Sequence, residues 1–156
     1  MPKTGPGLRE RALGLLSRRE HSRLELRRKL AAHTEDGAEL ETLLDDFEKR
    51  GWLSAQRFVE QVVHARSGRY GSRHVVHELR EKGVAEELIE QALPGLKERE
   101  LETARAVWAK KFDAPPADAR ERARQMRFLQ GRGFGLDIVF RVLNRCGNDP
   151  DFEGDN

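Results

Sequence analysis

The residues of this sequence that could carry chemistry include a pair of histidines. His74 and His77 lie three positions apart, so a helix would present both imidazoles on one face, where they could hold a metal ion. No cysteine or suitably placed set of carboxylates completes such a site, and a surface pair is the better interpretation. We therefore expect no metal site.

The glycine-rich segment at residues 131–135 (GRGFG) has the composition of a phosphate-binding loop. It joins two predicted helices, however, and it lacks the lysine followed by Ser or Thr that a phosphate loop requires. A helix-turn-helix corner is the better interpretation, and Gly133 is expected to need a left-handed backbone there. No nucleophile with a base and an orienting acid emerges elsewhere, so we predict neither enzymatic activity nor a cofactor.

Arginines recur at helical spacing on three predicted helices. Arg120, Arg124 and Arg127 fall at i, i+4 and i+7, which places them on one face, opposite Leu129. Similar pairs on two earlier helices also point away from the apolar side: Arg27 and Arg28, and Arg73 and Arg80. A solvated face explains any single arginine, whereas the set as a whole suits an anionic partner.

The distribution of charge follows the same pattern. The chain has 29 Lys and Arg against 27 Asp and Glu, a formal net charge of +2. Basic residues outnumber acidic ones by 9 to 4 in residues 1–35, by 5 to 2 in 61–85 and by 10 to 4 in 103–145. The segments between and after them are acidic. A basic element that repeats on a regular scaffold can follow a repeating or groove-shaped partner.

The elements that must position these arginines are helices. Apolar residues repeat at helical spacing, no segment alternates as a strand would, and hydrophobic and charged residues are nearly equal at 37% and 36%. This composition favours thin helical layers. The pattern predicts N-caps at Ser22, Ser54, Ser72 and Asp118, helix ends at Gly51, Gly83 and Pro94-Gly95, and core positions for Trp52 and Trp108.

The predicted helices form a repeat. The apolar and glycine positions of residues 79–93 recur in residues 129–143 at a constant offset of fifty, and the first part of the chain follows the pattern more loosely. We therefore predict an all-α fold of three tandem three-helix repeats, forming an elongated, curved array. The predicted segments are a flexible N-terminus at 1–7, repeats at 8–53, 54–96 and 97–145, and an acidic tail at 146–156.

Cysteine usage and hydropathy predict the compartment. Cys146 is the only cysteine, which excludes an intrachain disulfide and fits a reducing environment. No apolar run is long enough to span a bilayer, and residues 1–7 lack the apolar segment of a signal peptide. We predict a cytoplasmic protein with no membrane partner.

Several short segments, taken together, resemble the RecX family. They are residues 22–30 (SRLELRRKL), 51–53 (GWL), 57–58 (RF), 69–71 (RYG), 78–79 (EL) with 82–84 (KGV), and 127–129 (RFL) with 132–134 (RGF). Each segment is short, but their order and spacing are specific, and the resemblance covers the chain from Leu8 to about residue 145. Ala55 departs from it, since the family usually has an acidic residue there.

The resemblance implies a non-catalytic regulator, a monomer, that lodges in the groove of the RecA–DNA filament and inhibits ATP hydrolysis and strand exchange. Such a protein would modulate recombination, DNA repair and the SOS response. The family motifs add four residues to the predicted contact set: Arg69, Tyr70, Lys82 and Arg132. Periodicity and spacing do not identify RecA. The alternative is a module that binds single- or double-stranded DNA through its helix-turn-helix corners.

Overall fold

The computed structural model describes residues 5–147, and within that range the chain is helical and contains no β-strand. The α-helices are α1 (Leu8–Arg18), α2 (Arg23–Leu30), α3 (Gly37–Lys49), α4 (Ala55–Arg66), α5 (Ser72–Glu81), α6 (Glu86–Glu98), α7 (Glu100–Lys111), α8 (Ala119–Gly131) and α9 (Leu136–Gly147), with a short 3₁₀ helix at Ala31–His33. They follow one another in three groups of three, so the predicted all-α fold of three-helix repeats is confirmed. Residues 1–4 of the predicted N-terminus and 148–156 of the predicted tail lie outside the described range.

The described residues form two compact units. The first unit contains the residues up to Val62 together with Leu79–Ile89, and the second contains Val63–Glu78 together with the residues from Glu90 onward. The middle group of helices therefore contributes to both units. The predicted repeat boundaries and the elongated, curved arrangement stay predictions.

Each unit has an apolar core built from positions that the helical pattern singles out. In the first unit this core contains Ala12, Leu26, Leu30, Leu40, Leu43, Leu44, Phe47 and Leu53. In the second unit it contains Ala104, Val107, Leu129, Phe134, Ile138, Val139, Val142 and Leu143. Full burial of a large apolar side chain stabilises a fold by about 1.5–3 kcal/mol, so these clusters hold the helices together.

Side-chain caps fix the starts of several helices. Three of the predicted N-caps are confirmed, each accepting a backbone N–H three residues on: Ser22 Oγ from Glu25 at 3.1 Å, Ser54 Oγ from Arg57 at 3.2 Å, and Asp118 Oδ1 from Glu121 at 2.8 Å. A cap of this kind contributes about 1 kcal/mol.

The predicted cap at Ser72 is wrong. Helix α5 begins at Ser72 itself, and the first helical carbonyl is that of Gly71, which accepts from Val75 N at 3.3 Å. The Ser72 N–H and hydroxyl both donate to Glu100 Oε1, at 3.1 and 2.9 Å. The buried carboxylate of Glu100 on α7 therefore caps α5 in place of a serine oxygen. Its negative charge also interacts favourably with the positive end of the α5 dipole.

The turns after α5 and α8 have the same hydrogen bonds. Val84 N donates to Leu79 O at 3.0 Å, and fifty positions later Phe134 N donates to Leu129 O at 3.2 Å. The glycine before each donor is left-handed, with φ of 76° at Gly83 and 90° at Gly133. These are Schellman motifs, in which a left-handed residue satisfies the last carbonyls of a helix. The expectation of a left-handed Gly133 is confirmed.

The predicted helix end at Pro94-Gly95 is also wrong, because α6 continues through Pro94 to Glu98. Proline removes one backbone donor from a helix. Pro94 and Glu90, whose carbonyl loses that donor, are both exposed, so water can satisfy the carbonyl.

The two tryptophans differ in burial. Trp108 is half-buried against the core of the second unit, and its Nε1 donates to Gln125 Oε1 at 2.8 Å. Trp52 is 41% exposed, so its predicted core position is wrong. The Trp52 ring packs edge-on against Phe47, with centroids 5.4 Å apart, and the Arg50 guanidinium lies 5.1 Å from it. The Trp52 indole therefore lies at the surface, in contact with Phe47 and near the Arg50 guanidinium.

Candidate functional site

The second unit carries alternating cationic and aromatic side chains, which we call the cation–aromatic ladder. Its members are Arg66, Tyr70, His74, Lys111, Phe112, Arg124, Phe128 and Arg132. Tyr70, Arg124 and Arg132 belong to the predicted contact set. The other members do not, and only the three-dimensional fold brings them beside these residues.

Tyr70 forms one end of the ladder. Its ring stacks on the imidazole of His74, with centroids 4.0 Å apart and planes 12° from parallel. The guanidinium carbons of Arg66 and Arg132 lie 5.9 and 5.4 Å from the Tyr70 centroid. Arg66 donates two hydrogen bonds of 2.9 Å to Glu78, which raise the pKa of Arg66 and fix its position.

Arg132 is the central member of the ladder. Its guanidinium carbon lies 5.4 Å from the centroids of both Tyr70 and Phe128. Cation–π contacts orient a guanidinium without using its N–H donors. No side chain in the described part of the structure accepts a hydrogen bond from Arg132. Its donors are therefore available to a phosphate or carboxylate.

Phe112 and Phe128 form the other end of the ladder. Their rings meet edge to face, with centroids 5.4 Å apart. Lys111 Nζ lies 5.6 Å from the Phe128 centroid, and the Arg124 guanidinium lies 5.4 Å from that of Phe112. Arg124 also binds Glu121 at 3.0 Å. The Phe112 ring beneath Arg124 is buried, whereas the Phe128 ring beneath Lys111 is half-buried.

Backbone contacts hold the two sides of the ladder together. Gly71 N–H donates to the Arg132 carbonyl at 2.8 Å, and Arg73 N–H donates to the Gly133 carbonyl at 3.1 Å. A Cβ atom at position 71 would lie 2.3 Å from the Gly133 oxygen, so glycine is required for this approach. The start of α5 therefore places Tyr70 beside Arg132.

Helix α8 continues the basic surface. Arg120, Arg124 and Arg127 are exposed on the face opposite the buried Leu129, as the helical spacing predicts. Within the described residues, Arg120 and Arg127 have no hydrogen-bond or ion-pair partner, and the same holds for the exposed side chains of Arg69 and Arg73. These four cations add positive charge that no ion pair within the described residues neutralises.

The predicted contact residues of the first unit are mostly engaged within that unit. Three of them bind carboxylates: Arg27 with Glu41 at 2.5 Å, Arg80 with Glu86 at 2.7 Å, and Lys82 with Glu25 at 3.3 Å. Arg28 is exposed and has no partner in the described part of the chain. The arginine set therefore divides into structural pairs and free cations.

Glu25 is the most buried carboxylate of these pairs. Burial alone would raise its pKa, but hydrogen bonds and charge from Arg19 and Lys82 lower it to about 2. Arg19 donates to both Glu25 oxygens, at 3.0 and 2.7 Å. Lys82, whose side chain is 38% exposed, therefore binds a buried carboxylate within the first unit.

One sequence signal could have identified three of the missed ladder residues, Lys111, Phe112 and Phe128. Lys111-Phe112 and Arg127-Phe128 are adjacent basic–aromatic pairs, as is the predicted Arg69-Tyr70.

The described residues hold no group of three or more His, Cys, Asp or Glu that could bind a metal ion. Among the same residues, no helix has the length and apolar character needed to cross a bilayer.

Comparison with known proteins gives a consistent result. The three RecX three-helix domains match residues 9–46, 56–93 and 98–143 in order. The regulatory protein RecX of Leptothrix cholodnii is 49% identical over 94% of this chain and 93% of its own, and that of Chromobacterium violaceum is 43% identical over 99% and 100%. The crystal structure of RecX from Lactobacillus salivarius has the same fold, with a TM-score of 0.74 over 90% of this chain and 94% of that one, at 17% identity.

Proposed function

The chain belongs to the RecX family, whose members are regulatory proteins rather than enzymes, and on that premise we propose that it binds the RecA filament and inhibits its ATPase and strand-exchange activities. We propose that it acts in the cytoplasm as a monomer. Inhibiting the filament would modulate homologous recombination, DNA repair and the SOS response.

The cation–aromatic ladder and the adjacent α8 arginines carry this proposal. A nucleoprotein filament presents a repeating array of phosphates and carboxylates, and binding to it gains free energy when cations displace counterions. Cations already oriented on rings lose less conformational freedom on binding than free side chains do. Binding of this surface to the filament would require no catalytic residue in the chain.

In the second unit, the proposed contact residues are the free cations and ladder residues of the predicted set: Arg69, Tyr70, Arg73, Arg120, Arg124, Arg127 and Arg132. In the first unit, Arg28 is a proposed contact, and so is Arg80, because an exposed ion pair such as that with Glu86 contributes little and is readily exchanged. Arg27 and Lys82 stay predictions, since binding elsewhere would cost Glu41 and the buried Glu25 one of their two cationic partners.

DNA-dependent ATP hydrolysis by RecA tests the proposal. The wild-type chain should inhibit hydrolysis, and a variant with Tyr70→Leu and Arg132→Ala should need about tenfold more protein for half-inhibition. Arg18→Ala removes an exposed, unpartnered arginine outside the proposed surface and should behave like the wild type. The absence of inhibition by the folded wild type would contradict the proposal.

A nucleic-acid-binding module is the second candidate, because aromatic rings beside cations also suit direct contact with single-stranded DNA. Binding of an oligothymidine strand without RecA, at the same salt concentration, separates the two functions. Binding to free DNA that is tighter than binding to the filament, and that is lost in the Tyr70 and Arg132 variant, would favour the module.

A further inference from the structure

A groove of about 540 Å³ opens on the second unit, at the start of α5, the end of α6 and the first turns of α9. Its exposed lining includes Arg73, Lys97, Leu136, Asp137 and Arg141. No member of the cation–aromatic ladder lines it. The groove is therefore distinct from the ladder, although Arg73 is also one of the proposed filament contacts.

The rim of the groove is positively charged. Arg73, Lys97 and Arg141 are exposed and make no side-chain hydrogen bond or ion pair within the described part of the chain. Glu100 also lines the groove, but it is buried and bound to Ser72. Asp137 is thus the one exposed carboxylate among the lining residues, opposite three cations, and the groove favours an acidic ligand.

An unpartnered apolar pair adjoins the rim. Leu136 and Phe140 are 45% and 40% exposed, and they lie one turn apart on the outward face of α9. Large apolar side chains grouped at a surface commonly mark a site of protein contact, where one anchor residue supplies much of the affinity. The ligand should therefore bring an apolar side chain as well as negative charge.

We propose that the groove and the Leu136–Phe140 pair bind an acidic segment of a partner protein that carries an aromatic or large aliphatic side chain. Its carboxylates would pair with Arg73, Lys97 and Arg141, and its apolar side chain would cover the pair. Asp137 can accept a backbone N–H from such a segment, a donor that the sugar–phosphate backbone of a nucleic acid does not have. This site goes beyond the proposed function and requires neither DNA nor the ladder.

Fluorescence anisotropy with a labelled acidic peptide, DDEFEDD in one-letter code, tests the site on the full chain at low salt. A Leu136→Ala and Phe140→Ala variant, and a Lys97→Ala and Arg141→Ala variant, should each bind about tenfold more weakly than the wild type. Leu13→Ala and Arg18→Ala are matched controls, since both remove exposed side chains of the first unit, and they should change nothing. Circular dichroism confirms that each variant is folded.

The peptide itself supplies a second comparison. Replacing its Phe by Ala should weaken binding to the wild type but not to the Leu136 and Phe140 variant, because the lost contact is the same one. Equal binding of the peptide by wild type and both groove variants would overturn the proposal. So would an oligothymidine strand that binds tighter than the peptide and depends on the same residues.

The chain's own acidic residues 148–156 are the remaining candidate occupant. If Phe152→Ala tightened peptide binding, this segment would be the occupant and the assignment to a partner would be wrong. None of these measurements uses RecA, so a failure to inhibit RecA would leave their outcome unaffected.

Discussion

Replacing Gly133 by alanine is expected to destabilise the protein by about 3 kcal/mol, because the added methyl group has no space at this position. The new Cβ would lie 2.4 Å from the Cβ of His74 and 2.6 Å from its backbone nitrogen. Since the obstacle includes backbone, the turn after α8 must move away from the start of α5. That movement lengthens or breaks the hydrogen bonds from Gly71 to Arg132 and from Arg73 to Gly133.

The magnitude follows from two terms. The left-handed backbone at φ 90° costs an alanine about 1 kcal/mol, and each of the two backbone hydrogen bonds contributes about 1 kcal/mol. Gly51→Ala is the matched control, because Gly51 has φ 75° and lies in an equivalent turn but has nothing within 4 Å of its added Cβ. It should cost about 1 kcal/mol.

Urea denaturation followed by far-ultraviolet circular dichroism measures both variants against the wild type. The midpoint should fall further for Gly133→Ala than for Gly51→Ala, with an unchanged dependence on urea concentration. A loss of about 3 kcal/mol is a large part of the stability of a small protein, so the difference is readily resolved. Equal losses in the two variants would show that the close approach to His74 imposes no strain.

Two further predictions concern buried carboxylates. Lowering the pH from about 5 to 2 should reduce the free energy of unfolding more in the wild type than in Glu25→Gln. The pKa of Glu25 in the folded protein is about 2, below the ordinary value of 4.5. The ionised carboxylate therefore stabilises the fold above pH 4.5, and this stabilisation is lost as the pH falls toward 2. Parallel profiles in urea titrations at successive pH values would contradict this assignment. Glu100→Ala should lower the free energy of unfolding by about 3 kcal/mol, because the buried N–H and hydroxyl of Ser72 lose their acceptor. Glu102 is exposed on the same helix, and Glu102→Ala should change the free energy of unfolding by less than about 0.5 kcal/mol. Similar losses in these two variants, measured by thermal unfolding, would rule out a capping role for Glu100.

The features that could be predicted from the sequence depend on residues close together in the chain. The caps at Ser22, Ser54 and Asp118 each bind an N–H three residues away, and the glycine turn at Gly133 spans six residues. The cap of α5 could not be predicted in this way, because Glu100 is 28 positions from Ser72 and nothing local distinguishes its carboxylate from an exposed one.

The candidate site could be predicted only in part for the same reason. Helical spacing shows that Arg27 points away from the apolar stripe, and the family motif singles out Lys82. Neither shows that Glu41 and Glu25 lie close enough to bind these two residues. The ladder depends on Tyr70 meeting Arg132, a contact between distant parts of the chain. Spacing identifies which side chains face outward, whereas the tertiary fold decides which of them remain free.

Binding to RecA filaments as a function of salt concentration shows whether the basic face of α8 contacts the filament. Co-sedimentation should compare the wild type with two triple variants. The first variant combines Arg120→Ala, Arg124→Ala and Arg127→Ala. The control variant combines Arg18→Ala, Lys49→Ala and Arg99→Ala, and it removes equal charge from exposed positions outside the proposed surface. The wild type and the control should lose affinity steeply as salt rises, while the first triple should bind more weakly, with a logarithmic slope shallower by about 2 to 3. If all three folded proteins bind with the same affinity and the same slope, the basic face of α8 does not contact the filament, which contradicts the proposed function.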